Sequence, residues 1–191
     1  MAYALALLGF AAFLLHDFQS VSLVGLRVFR AGFVCGVLLW CAAAAMVAAG
    51  HVQEAALARL IPFGVLGALS LVAEGYALFF ALPFGRTYVR QETGGTVCWE
   101  GLYGLCRHPA FWPFAAFFGC LFLAMPSGET LAFALLMTAL DFAYIAVQDA
   151  WIFTRTFSDY SDYKKVTPFL LPKGAQWRRF LKELAKREGR A

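Results

Sequence analysis

Charge is what this sequence has least of. Only 15% of its 191 residues are Asp, Glu, Lys or Arg, while 61% are hydrophobic. Soluble domains carry roughly 25% charged and about 45–50% apolar residues, so this composition excludes a water-soluble globular domain. Cysteine is sparse: there are five, an odd number, and no two form a CxxC pair. That argues against a disulfide framework and a zinc site. Four of the five lie in or beside apolar segments, where cysteine acts as a small hydrophobe. The three histidines, His16, His51 and His108, are too scattered to read as a metal cluster, so no metal is expected. The first apolar run has no positively charged leader and no small-residue cleavage site before Asp17. It therefore reads as a membrane helix rather than a signal peptide.

What is present is a series of apolar runs. About 20 apolar residues cross the ~30 Å hydrocarbon core of a bilayer. Five segments emerge, at Ala2–Leu15, Ala31–Gly50, Leu60–Phe84, Ala110–Met125 and Thr130–Phe153. The expected fold class is all-α: a polytopic membrane protein of about five transmembrane helices. The fourth segment, about 16 residues, gives ~24 Å of helix and is too short for a full crossing. It is expected to form a short, sunken helical hairpin with the fifth, turned by "PSGE". Pro109 suits the first turn of that fourth helix, and Pro113, one turn on, is expected to kink it.

Lys and Arg set the orientation. Arg27 and Arg30 follow the first segment, Arg59 the second, and Arg86, Arg90 and Arg107 the third. None follows the fourth, and ten follow the fifth. Alternate sides therefore hold fifteen and one. The bias puts the N-terminus outside and the C-terminus in the cytoplasm, with Arg107 and His108 on the cytoplasmic side. The same distribution argues against nucleic acid as a partner, because the net charge of +4 gathers where topology requires it. In the tail, Trp177, Phe180, Leu181, Leu184 and Ala185 recur at helical spacing among Arg178, Arg179, Lys182, Lys186 and Arg187. That pattern fits an amphipathic helix on anionic lipid headgroups; the alternative is a disordered basic tail. Three regions result: helices at 1–84, a core at 85–172 and a basic tail at 173–191.

Ionisable residues within apolar segments carry functional hypotheses, because each costs roughly 2.5–3.5 kcal/mol to insert. On the fifth segment Thr138, Asp141, Tyr144, Gln148 and Asp149 fall broadly on one side of a helix. They line either a polar cavity open to the cytoplasm or a hydrogen-bonded stripe between helices. Glu74, in the third segment, is either a protonated structural carboxyl or part of the same cavity. Arg107 and His108, expected at the start of the fourth helix, are either boundary residues or an anion site. For the latter, a helix N-terminus offers free N–H groups and Arg107 offers bidentate recognition. His108 would then donate a hydrogen bond or move a proton.

The second half of the chain sharpens these alternatives. "GLYGLCRHPAF" resembles the G-x-Y-x-x-x-R-H-P-x-[YF] motif of integral membrane methyltransferases. These include isoprenylcysteine carboxyl methyltransferases and phospholipid N-methyltransferases. Farther on, "QDAWIFTRTFSDYSDYKKVTPFLLP" looks like that family's ending of a Glu-Glu pair, Phe-Gly, two tyrosines and Val-Pro-x-x-x-Pro. Phe157, Tyr160, Tyr163, Pro168 and Pro172 supply much of it. Gln148-Asp149 stands in place of Glu-Glu, Ser158 in place of Gly and Thr167 in place of Val, and the Phe-to-Tyr spacing is one residue tighter. The resemblance implies S-adenosylmethionine as cofactor and a lipid or other lipophilic acceptor within the membrane. It implies a cofactor site at Gly101, Tyr103, Arg107, His108, Pro109, Gln148, Asp149 and Tyr160. Arg107 and the helix N-terminus would take the donor's carboxylate, and Asp149, with Gln148, its ammonium or ribose hydroxyls. Tyr103, Phe111 and Tyr160 would pack on adenine or the sulfonium. Should the acceptor be an amine, His108, Asp141 and Glu74 are the candidate proton-transfer residues. The competing readings are an NADPH-dependent reductase of the sterol or steroid type and a non-catalytic membrane scaffold.

Overall fold

The computed structural model describes residues 1–21, 31–81 and 95–188. Arg27, Arg30, Arg86 and Arg90 of the charge argument, and the expected boundary at 84/85, lie outside the described residues. The described chain is all-helical, its one β-type contact being a bridge between Gly95 and Phe157. Helices α1 (Ala2–Val21), α2 (Gly32–His51) and α3 (Leu57–Gly75) come first, and α3 runs on through a π-helical turn, Tyr76–Phe80. Short α4 (Leu102–Leu105) precedes α5 (Phe111–Ala124) and α6 (Gly128–Val147). A second π turn, Gln148–Ile152, joins α6 to α7 (Phe153–Thr156). Helices α8 (Tyr160–Val166) and α9 (Gly174–Glu188) complete the chain.

Four stretches are long and apolar enough to cross a membrane: Ala2–Gln19, Gly32–Glu54, Leu57–Phe80 and Gly128–Thr156. This is the architecture of a membrane protein. Helix α5, with 14 residues, is about 21 Å long and pairs with α6 as the expected short hairpin. Ser127 caps α6 by accepting from the Thr130 N–H, and the Thr130 side chain accepts in return from the Ser127 N–H. Large aliphatic side chains such as Leu38, Leu69, Val72 and Leu135 point outward, while Phe10, Phe13, Trp40, Phe114, Phe118 and Phe133 fill the interior. Lipid is as apolar as leucine, so close fit rather than water exclusion holds such a bundle. Glycines give that fit between α1 and α2. A Cβ on Gly36 would stand 2.9 Å from the Gly9 carbonyl oxygen and 2.5 Å from the Phe13 ring.

Helix α1 runs past its expected end at Leu15. His16 and Asp17 stay helical because Asp17 Oδ2 accepts 2.8 Å hydrogen bonds from Tyr144 Oη and Gln148 Nε2 of the neighbouring helix. Helix α5 starts at Phe111, later than expected. Pro113 therefore lies in its first turn, where a missing N–H breaks no bond, and Pro109 lies in the turn before the helix. Helix α9 turns Gln176, Phe180 and Glu183 partly inward and leaves Trp177, Leu181 and Leu184 exposed.

Candidate functional site at Arg107, His108 and Asp149

The Arg107-His108 segment is non-helical chain laid against a second non-helical segment at residues 168–170. The Arg107 N–H donates to Pro168 O at 2.9 Å and the His108 N–H to Phe169 O at 3.3 Å. Trp112 Nε1 donates to Leu170 O at 2.9 Å. These bonds overturn one expectation. The N–H groups of Arg107 and His108 are not free at a helix N-terminus to receive an anion, because both residues precede α5 and both donate to neighbouring backbone. The prolines at 168 and 172 suit that partner segment, since they forbid a continued α8.

Side chains from three elements meet above this pairing. Arg107 Nε lies 2.9 Å and His108 Nε2 3.5 Å from Asp149 Oδ1. Lys164 Nζ lies 2.8 Å from Asp149 Oδ2, and Tyr160 Oη donates to Asp149 Oδ1 at 2.7 Å. Arg107 Nε and His108 Nε2 are buried and point no hydrogen bond at a partner, although both are close to the carboxylate. The His108 ring stacks on Phe153 at 5.8 Å and meets Phe169 edge-on at 4.9 Å. The Arg107 guanidinium stands over Phe169, 5.5 Å from its centroid.

Local geometry explains how Asp149 gets there. Gln148 and Asp149 open the π turn Gln148–Ile152, and these adjacent side chains take different partners. Gln148 turns to α1, donating to Asp17 Oδ2 and, at 2.9 Å, to Tyr144 Oη. Asp149 turns to Arg107. The polar stripe expected on one face of the fifth segment is thereby divided, and Gln148 is not beside the Arg107–Asp149 pair. Thr138 donates to its own helix at Ala134 O. Asp141 and Glu74 are both half-buried. Among the described residues, no hydrogen bond or ion pair joins either of them to Arg107, His108 or Asp149.

The two motif tyrosines sit one helical turn apart on α8, and both are buried. Tyr160 reaches Asp149, while Tyr163 donates to the Tyr103 carbonyl. Tyr103 Oη in turn donates to Ala77 O in the π turn after α3, at 3.1 Å. Gly101 opens α4 with φ 62°, ψ −135°, a backbone conformation that side-chain-bearing residues rarely adopt. Its N–H donates to Glu183 Oε2 of α9 at 3.3 Å. Gly101, Tyr103 and Pro109 thus shape backbone around the cluster, whereas Arg107, His108, Asp149 and Tyr160 form it.

Burial lowers the His108 pKa, outweighing the nearby Asp149 carboxylate, which raises it. Arg107 and Lys164 already answer that carboxylate, so the imidazole is neutral at pH 7. Burial raises both Tyr160 and Tyr163, which stay phenols. It also pushes the Cys106 thiol up to about 11, so Cys106 is no thiolate nucleophile. Two participants were missed in the sequence. Lys164 follows Tyr163 in a run that reads as ordinary surface charge. Asp17 ends an apolar segment and reads as a boundary residue, and nothing in its spacing points to Gln148. Comparison with family models, curated proteins and solved structures finds no match to this chain.

Proposed function

We propose that this chain is a membrane-embedded methyltransferase that uses S-adenosylmethionine to methylate a lipophilic acceptor. One observation carries the reading. Arg107 and His108, Asp149, Tyr160 and Phe169 come from four separate pieces of the methyltransferase-like pattern, yet Arg107, His108 and Tyr160 meet at the Asp149 carboxylate and Phe169 packs against the first two. A structural helix-to-helix contact needs no such collection of a guanidinium, an imidazole, an ammonium and a phenol. The cluster also fits such a ligand: cations outnumber anions, and Phe153, Phe169 and Tyr160 supply aromatic faces.

Bound there, S-adenosylmethionine supplies an activated methyl group on a sulfonium. The chain's part is to orient donor and acceptor for in-line displacement, the step that alignment accelerates most. Asp149 fixes the Arg107 and Lys164 side chains, and the Phe169 ring excludes water from one side of the guanidinium. A carboxylate or thiolate acceptor needs no base. For an amine acceptor, neutral His108 is the group able to take the proton, and Asp141 and Glu74 are candidates nearer the lipid. In the proposed topology α5 enters the membrane as a fifth, partial crossing. The N-terminus is outside, the site is at the cytoplasmic face, and α9 lies along that surface.

Donor-dependent thermal stabilisation of the purified protein in lipid nanodiscs tests this reading. S-adenosylmethionine should raise the unfolding midpoint of the wild type and leave Arg107→Ala unmoved. Stabilisation by NADPH instead points to the reductase, and stabilisation by neither to a scaffold; both outcomes contradict the proposal.

A further inference from the structure

The charges of the cluster do not balance. Arg107 and Lys164 bring two permanent positive charges and Asp149 one negative charge. His108 adds none at neutral pH, since burial favours its neutral form. Among the described residues the cluster therefore carries one more positive than negative charge. An anionic ligand group would balance it.

Exposure and occupancy indicate where the anion arrives. The side chains of Arg107 and Asp149 are 11% and 10% exposed, whereas Lys164 is 33% exposed. Lys164 Nζ is thus the cation a ligand from water meets first. It is also held in place, 2.8 Å from Asp149 Oδ2 and donating to Asp149 O at 3.2 Å. Asp149 itself already has a partner at each oxygen. Oδ1 receives Tyr160 and faces Arg107, and Oδ2 faces Lys164. A ligand ammonium would have to share the carboxylate with two cations already in place.

We propose that Lys164, positioned by Asp149, binds the carboxylate of S-adenosylmethionine, with Arg107 behind it. The proposal rests on the donor reading above and reverses one part of the sequence-based expectation. Asp149 becomes a positioning residue that arranges two cations, rather than the partner of the donor's ammonium.

A cycle of two ligands and three proteins tests it. Calorimetric Kd values are measured in nanodiscs for S-adenosylmethionine and for its decarboxylated analogue, which keeps the ammonium. The proteins are wild type, Lys164→Gln and Lys164→Arg. Loss of one charge-assisted contact at a partly exposed site should weaken donor binding roughly tenfold in Lys164→Gln. It should leave the analogue's Kd unchanged, and Lys164→Arg should restore most of the loss. The wild type alone should prefer the donor to the analogue, a result independent of how the variants fold. Equal weakening of both ligands overturns the proposal, because Lys164 would then act only through Asp149. Tighter donor binding by Lys164→Gln also overturns it, by showing that the lysine competes with the ammonium. In both cases the donor reading stands. If the wild type binds neither ligand, the donor reading falls as well.

Discussion

At the scale of single residues, the account turns on Asp149 as the shared counter-charge of the site. Replacing it with Asn strips Arg107 and Lys164 of their anion and keeps its volume. Breaking a buried ion pair from one side costs about 3 kcal/mol or more. Asp149→Asn should therefore lower unfolding free energy by about that much, read by denaturant titration in micelles. Tyr160→Phe, which removes one hydrogen bond to a charged acceptor, should cost about 2 kcal/mol. His108 gives a pH signature with a definite sign. Its folded-state pKa lies below the ordinary value of about 6.5, so the unfolded chain binds the proton more readily. Its contribution is fully present above pH ~6.5 and is lost as pH falls from there through the folded pKa. From pH 7.5 to 5.5 the thermal midpoint of the wild type should fall farther than that of His108→Gln; parallel curves would contradict the neutral-imidazole assignment.

At the scale of elements, two kinds of local geometry organise the molecule. One is the pair of π turns, Tyr76–Phe80 and Gln148–Ile152. The first presents Ala77 O to Tyr103, and the second carries Gln148 and Asp149. Neither is visible in a sequence read at 100° per residue, because an inserted residue shifts everything after it around the helix. The stripe on the fifth segment was legible as polar but not as divided, because the division lies in the partners, Asp17 for Gln148 and Arg107 for Asp149. The other is the glycine seam of α1 and α2. Gly36→Ala puts a methyl into the Phe13 ring and the Gly9 carbonyl, and overpacking of this kind costs about 1–3 kcal/mol. Gly50→Ala, with nothing within 4 Å of the added atom, is the matched control. Thermal midpoints should fall for the first and hold or rise for the second. The apolar runs gave the helices nearly where they lie, since length and hydropathy alone decide what enters lipid. Their ends were less legible. Asp17 stays helical through partners on α6, and the start of α5 depends on bonds to residues 168–170, more than fifty positions away.

At the scale of the whole molecule, the two ends of the bundle differ in kind. At one end His51 Nε2 meets Glu129 Oε2 at 3.2 Å, joining α2 to the capped start of α6. At the other lie the charged cluster and α9, whose Glu183 reaches Gly101 and whose Gln176 donates to Val166 O at 2.8 Å. The tail's alternation of cations and apolar residues was plain in the sequence; that α9 also grips α4 and α8 depends on contacts no spacing reveals. The asymmetry of Lys and Arg predicts a cytoplasmic C-terminus. A C-terminal fluorescent-protein fusion should glow and an alkaline phosphatase fusion should be inactive; the reverse pair would invert the topology. The central claim is chemical, and methyl transfer tests it most directly. Protein in nanodiscs containing a total native lipid extract is incubated with methyl-labelled S-adenosylmethionine, and the organic phase is analysed by mass spectrometry. The account predicts a labelled lipophilic product that forms with the wild type and falls at least tenfold with Arg107→Ala, whose guanidinium contributes charge-assisted contacts of that order. No labelled product with wild-type protein that binds the donor, or equal product from both proteins, would contradict it.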